Sequence, residues 1–351
     1  QEQEKEIEQH PFISKGITTT LKEQSEQIKS IQKEKEKFND SIFPAEEISL
    51  FNGKTNFSEA YNPALAKKVQ KGKVTPQDLK DPNNKYSWKR LSEIYNIKDL
   101  NIIKEPKEIK NVPDILTEDV IQGDLGDCYL LSAFTSLAEN PNRLKKLFPN
   151  PNMSQNGVFE VVVYLHGEPV TILLDDYFVV KGAPTETADG EEENKAEPEL
   201  AFTRINPKTN NIWPLLLEKA WAKLHGNYEN IAIGNITDAF EIFSPAPYTT
   251  LYHSVNQDTV FNTIKSSLDK GFVVCCDITA PKNSKEFNKL KALGLITNHA
   301  YNVLEHADVS DIKGNKIQLL RVKNPWGTNE WEGDWSDKSN KWTDEYKELL
   351  N

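Results

Sequence analysis

Residues 128–140 read CYLLSAFTSLAEN, apolar on nearly every side and closed by Pro141. Such a segment has no polar face to give to solvent, so it must run as a helix of about three turns inside a core. A second run of this kind, WPLLLEKAWAKL over Trp213–Leu224, carries Pro214 where a helix start tolerates proline. Between the two, GVFEVVVYLHGEPVTILLDD shows two β-rich stretches joined at His166–Gly167–Glu168–Pro169, a hairpin signal. After Ser244–Pro245–Ala246–Pro247, whose alternating prolines break both regular structures, the period changes. GFVVCCDITA, HAYNVLEHADV and KIQLLRVKN are three β-like runs. At 351 residues the chain exceeds what one core usually supports. The expectation is an α+β protein of two lobes: residues 41–245 mainly helical, and residues 248–351 mainly antiparallel sheet.

Residues 1–40 are dominated by Gln, Glu, Lys and Ser, and read as a solvated polar arm. Its apolar positions, Leu21, Ile28, Ile31 and Phe38, form too short a stripe for the roughly 3 to 4 heptads of a coiled coil. Asp81–Pro82–Asn83–Asn84 reads as a turn, and the acidic ETADGEEENKAEPE stretch as a surface loop. The final WTDEYKELLN reads as a helix cut short, so the second lobe is expected to be truncated.

Charge and cysteine count exclude several classes. A formal charge of −11, from 53 acids against 42 bases, argues against a nucleic-acid surface. No stretch approaches the roughly 18 to 20 apolar residues of a membrane span, and the start lacks the basic-then-apolar order of a secretory signal. Three cysteines, Cys128 and the adjacent pair Cys275 and Cys276, make no disulfide framework and no zinc-finger spacing. A cytoplasmic protein without zinc or organic cofactor is expected.

The remaining cysteine question is chemical. A thiol becomes a nucleophile where a helix N-terminus favours the thiolate and glycines let a substrate approach, and Cys128 in QGDLGDCYLL has both, with Gly126 two residues ahead. Cys275 and Cys276, inside an apolar strand, read as core residues. Of six histidines, His10 lies in the arm, His166 in a hairpin turn and His225 beside a helix end, while His253 and His306 have no supporting neighbours. His299 opens the strand HAYNVL, and RVKNPWG ends the next. Pairing of those runs around Lys313–Gly314–Asn315 would bring His299 and Asn324 to one end of a sheet, with Trp326 shielding their hydrogen bond. Gln122 would join the Cys128 backbone N–H in stabilising an oxyanion.

QGDLGDCYLL, LLEKAWAKLHGNYE, NHAYNV and RVKNPWGTNEWEGDWSD, in this order, resemble the protease core of the calpain family over roughly residues 38 to 351. The resemblance implies a papain-like fold with a cleft between the lobes and limited proteolysis of protein substrates by Cys128, His299 and Asn324. It also implies that other domains of a longer chain are partners. Further, it implies Ca2+ in each lobe, a cation that takes six to eight oxygen ligands. Glu330 and Asp337 stand at the second-lobe ligand positions and Asp119 at a first-lobe one, where Asn211 replaces a glutamate. Thr117 and Asp114 replace an arginine and a glycine of that site. In the cleft, Tyr129 replaces a tryptophan, Asn298 a glycine, and Ile233 the first of two substrate-binding glycines, leaving Gly234.

Two other readings compete with an active calcium-dependent endopeptidase. One is a catalytically weak calcium-binding or scaffold module of the same descent, suggested by Asn298, Asn211 and the polar arm. The other is a transglutaminase- or acetyltransferase-like enzyme, which usually orients its histidine with an aspartate rather than the asparagine of NPWG.

Overall fold

The computed structural model describes the chain apart from residues 1–20, 22, 25, 27, 32–35, 51–85, 105–114, 182–197, 253–255, 311–313, 315, 326–329 and 351. The Asp81–Asn84 turn, most of the acidic stretch, the ends of the Lys313–Asn315 turn, Asp114 and Trp326 therefore lie outside the described residues.

In chain order the first lobe contains α1 (Ile28–Ile31), β1 (Tyr86–Arg90), α2 (Leu91–Ile94), α3 (Ile115–Glu118), α4 (Cys128–Ala138), α5 (Pro141–Lys145), β2 (Val158–Leu165), β3 (Glu168–Asp175), β4 (Tyr177–Lys181), β5 (Glu199–Leu200), α6 (Trp213–His225) and α7 (Ile236–Phe243). The two helices read as buried are so: α4 from Tyr129 to Ala138, and α6 from Trp213 to Leu224. They meet through rings. Phe134 packs edge-on against Trp213 and Phe243, and Trp221 tilts onto Phe243. Each aromatic or leucine enclosed here removes about 1.5–3 kcal/mol worth of apolar surface from water. Helix α6 stops at Gly226, whose φ of 89° is the left-handed cap that glycine adopts without strain.

The hairpin forms where the pattern placed it. β2 and β3 pair antiparallel through a two-residue turn, His166–Gly167, with φ of 54° and 80°, the double positive φ such turns require. The first lobe is nevertheless richer in sheet than its helices suggested, because β1, β4 and β5 form a second antiparallel sheet. Its β1 comes from YSWKR, whose mixed aromatic and basic residues give no clean alternation.

The second lobe holds α8 (Gln257–Asp269), β6 (Cys275–Ile278), α9 (Ser284–Ala292), β7 (His299–Ser310), β8 (Lys316–Lys323) and α10 (Asp344–Leu350), with its sheet in the order β6-β7-β8. All pairs are antiparallel, as expected, although GFVVCCDITA extends only over Cys275–Ile278. The β7–β8 register runs from Ser310 against Lys316 to Asn302 against Lys323, so His299 and Asn324 lie beyond the same end.

The arm needs correction. Leu21 is only 1% exposed and belongs to the main core, and the Gln24 side chain donates to Asp40 and accepts from Lys223 on α6. A strongly polar segment has docked because its few apolar and amide positions meet buried partners, which overall composition hides.

Candidate active site

Helix α4 lies along the start of β7, and polar groups join them. Ser132 Oγ donates to the Ala300 carbonyl at 3.1 Å, and the Asn302 amide donates to the Ser132 carbonyl and, at 2.6 Å, to Ser136 Oγ. Asn302 is fully buried, so leaving these bonds unmade would cost about 1–3 kcal/mol. The junction sets the Ala300 backbone N–H onto the Cys128 thiol at the first turn of α4. His299 is the adjacent residue, and its Nε2 lies 2.8 Å from Asn324 Oδ1 in a buried contact.

That bond decides the tautomer. A carbonyl oxygen only accepts, so His299 Nε2 carries the proton and Nδ1 is the basic nitrogen. The Tyr301 ring stands edge-on at 4.9 Å from the imidazole and its hydroxyl accepts from the Ile296 N–H, which fixes the ring from the strand side. Burial pulls His299 below its ordinary pKa, against the Asn324 bond, and burial raises the Cys128 thiol, against the Ala300 N–H. Both shifts favour an uncharged thiol and imidazole before substrate arrives. Cys275 and Cys276, expected in the core, are half-buried residues whose thiols burial pushes up to about 12 and about 11. Of the other described histidines, His166 is exposed in the β2–β3 turn, His225 Nδ1 meets its own helix's Trp221 carbonyl, and His306 Nε2 meets Asp269.

Gln122 is half-buried ahead of Cys128 and its Nε2 donates to the Leu125 carbonyl at 2.7 Å, leaving a second amide hydrogen. Gly126 is exposed, and a Cβ there would press on the Ala232 carbonyl at 3.0 Å. A Cβ on Gly234 would overlap the Tyr129 ring at 2.5 Å, so glycine is required there for packing. Tyr129 itself is buried, donating to the Ile231 carbonyl and accepting from Trp221 Nε1, and so anchors the 231–234 loop beside Cys128. Asn298, which stands in place of a glycine, has φ of 53°, a conformation asparagine tolerates, and its side chain accepts from the Ala280 N–H.

The ligand positions behave differently. Asp119 is fully buried and takes donors from Thr209, from Asn211 Nδ2 at 2.8 Å and from Trp213 Nε1 at 2.8 Å. Asn211 turns its oxygen the other way, to the Lys104 N–H. Glu330 and Asp337 are exposed. Among the described residues no three His, Cys, Asp or Glu side chains gather as a metal-holding group.

Two features escaped the sequence reading. The Ser132–Ser136–Asn302 junction had one signal, an asparagine inside an otherwise apolar strand. The other is a carboxyl pair. Asp127, the residue before Cys128, and Glu218 of α6 are both buried; the Thr203 N–H and hydroxyl donate to Glu218, and the Asp127 oxygens meet no ordinary donor. Two carboxyl groups in contact bond only when one holds a proton, and burial raises both, Glu218 to about 7. The folded state thus binds this proton more tightly than the unfolded chain. Its stabilisation is complete below the ordinary carboxylate range and is lost as pH rises through the raised pKa values of the pair. Thermal unfolding midpoints should fall across that window in the native protein and fall less in Glu218→Gln, which keeps a donor for Asp127.

The profile of the calpain family cysteine protease domain matches residues 38–351. The chain is 30% identical over 308 residues to calpain-9 of Mus musculus, covering 87% of this chain and 37% of that protein. It is 30% identical over 300 residues to the calpain-1 catalytic subunit of Rattus norvegicus, covering 80% and 38%, and 33% identical over 260 residues to that of Gallus gallus, covering 73% and 33%. The chain thus spans less than two-fifths of the length of these relatives.

Proposed function

Because the chain belongs to the calpain family of cysteine proteases, we propose that it is an endopeptidase that cuts protein substrates at a few exposed sites through Cys128, His299 and Asn324. The observation that carries this reading is the buried His299 Nε2–Asn324 Oδ1 bond beside the helix start at Cys128. A neutral amide orients the imidazole without adding a second negative charge to a site that must generate a thiolate.

When an extended peptide lies along the surface formed by Gly126 and the 231–234 loop, the Cys128 proton passes to His299 Nδ1 and the sulfur attacks the scissile carbonyl. The carbonyl becomes an oxyanion, held by the Cys128 N–H at the helix start and the second Gln122 amide hydrogen, a contribution of about 10²–10³ in rate per donor. His299 returns the proton to the leaving amine, leaving a thioester. Water, deprotonated by the same nitrogen, then releases the acid and restores the thiol. The lobe division we adopt, at the proline-broken 246–247 segment, puts nucleophile and base on opposite walls of the cleft.

Calcium control belongs to this proposal through the second lobe, where the exposed carboxylates of Glu330 and Asp337 would contribute oxygens to a hard cation. The described first-lobe ligand positions do not fit one, since Asp119 is saturated by neutral donors and Asn211 turns its oxygen away. A cytoplasmic setting follows from the three free cysteines. Among the described residues no helix is long and apolar enough to cross a membrane.

Casein digestion with and without calcium, paired with labelling by a thiol-reactive peptide inhibitor, tests the reading. Cleavage and labelling at Cys128 are expected. A protein that neither cleaves nor labels at saturating calcium is the weak binding or scaffold module instead.

A further inference from the structure

Lys323 is the last residue of β8, paired in register with Asn302 and followed directly by Asn324. Its ammonium does not stay with its own sheet. It crosses to the first lobe and donates to the Thr117 carbonyl, on the short helix α3. Its positive charge also acts on Asp119, two residues further on.

The surroundings of Asp119 make this notable. The carboxyl group is fully buried, and burial raises its pKa against three neutral donors, from Thr209, Asn211 and Trp213, and the Lys323 charge. The Asn211 amide is fixed by its partners: the Lys104 N–H must meet the oxygen at 2.8 Å, and the carboxylate must meet the nitrogen. No second oxygen of that pair is therefore aimed at a cation shared with Asp119. The positive charge that the buried carboxylate senses comes from a side chain of the other lobe. Lys323 is only partly buried, so its ammonium retains some solvation while holding one carbonyl.

We propose that Lys323 is a positioning residue that locks the lobes together, its ammonium serving in the first lobe where a bound divalent cation would otherwise be needed. The tether fixes the end of β8 and hence Asn324, which in turn orients His299. The in-register partner of Lys323, Asn302, on the same face of the sheet, makes the Ser132–Ser136–Asn302 junction that clamps the strand pair to α4. Cleft geometry is thus set by two neighbouring contacts between the lobes, both made by groups of this chain. The proposal rests on the catalytic reading above only for its activity readout.

The test compares the full chain with Lys323→Met, which keeps the stem and removes the charge, and Lys323→Arg, which keeps the charge. On a fluorogenic peptide, Lys323→Met should lower kcat about ten- to hundredfold with KM nearly unchanged, and Lys323→Arg should recover most of the loss, because misplacing Asn324 disturbs the chemical step more than binding. Hydrogen exchange read by mass spectrometry gives a second, activity-free measure. Residues 115–121 should exchange at the same rate with and without millimolar calcium in the native protein, and faster in Lys323→Met. Protection of that segment by calcium in the native protein would overturn the proposal, as would a Met variant with unchanged exchange and kcat within about twofold of native. Failure of Cys128 to react with the peptide inhibitor would overturn the catalytic reading alone and leave the exchange result decisive for the tether.

Discussion

Cys128→Ser should lower kcat/KM on casein by about four to six orders of magnitude while leaving the unfolding midpoint within about a degree of native. The size follows from the site. A serine hydroxyl is far more reluctant than a thiol to release its proton, and His299, held below its ordinary pKa by burial, is too weak a base to take it. The Ala300 N–H and the α4 start help an anion at this position but do not close so large a gap. The fold should not notice, since the side chain is half-buried at the cleft and the packing of α4 begins at Tyr129. Cys275→Ser is the control: that thiol is enclosed against Ser136 and its proton is held up to about 12, so it cannot substitute as nucleophile. Equal activity in native protein and Cys128→Ser would sink the proposed mechanism.

Much of this site could be read from local signals. Cys128 announces itself by glycines before an apolar helix, and His299 and Asn324 by two β-like runs whose pairing puts them at one end of a sheet. These are short-range patterns of period and turn chemistry, which physical rules handle well. What the sequence concealed are side chains whose partners lie far along the chain. Asn302 is an ordinary polar residue until α4 is laid against it, and Lys323 reads as one more surface lysine in RVKN until Thr117 is brought within reach. The substitution of Asn211 at a ligand position was visible, but its consequence depended on which way the amide turns, and that is set by Lys104, more than a hundred residues earlier. The arm was misread for the same reason, since Gln24 looks solvated in sequence and finds Lys223 only in the fold.

The second large effect concerns stability. In WPLLLEKAWAKL the lysines one turn apart, Lys219 and Lys223, fit the polar stripe of a surface helix, yet both side chains are wholly buried. Each ammonium finds three acceptors. Lys219 meets the Asp175 carboxylate and the carbonyls of Asp175 and Tyr177. Lys223 meets Asp40 Oδ2 at 2.7 Å, the Leu173 carbonyl at 2.7 Å and Gln24 Oε1 at 2.8 Å. Asp40 is equally committed, accepting from the Ile42 and Phe43 N–H groups and donating its own N–H to Asp175. Asp40→Ala should therefore cost about 3–5 kcal/mol in denaturant unfolding, because it strands a charge in the core rather than merely deleting a contact. Burial already lowers the Lys223 pKa against the pull of Asp40. Without that carboxylate it falls further, so the lysine is depressed in the folded state and the penalty is largest at low pH. Raising the pH to about 9 lets Lys223 enter the core uncharged and should shrink the loss. Asp40→Ala combined with Lys223→Met removes the stranded charge and should recover most of the stability. A cost below about 1 kcal/mol for Asp40→Ala at neutral pH would mean that water reaches Lys223, and that this network does not anchor the arm, β3 and α6 as one unit.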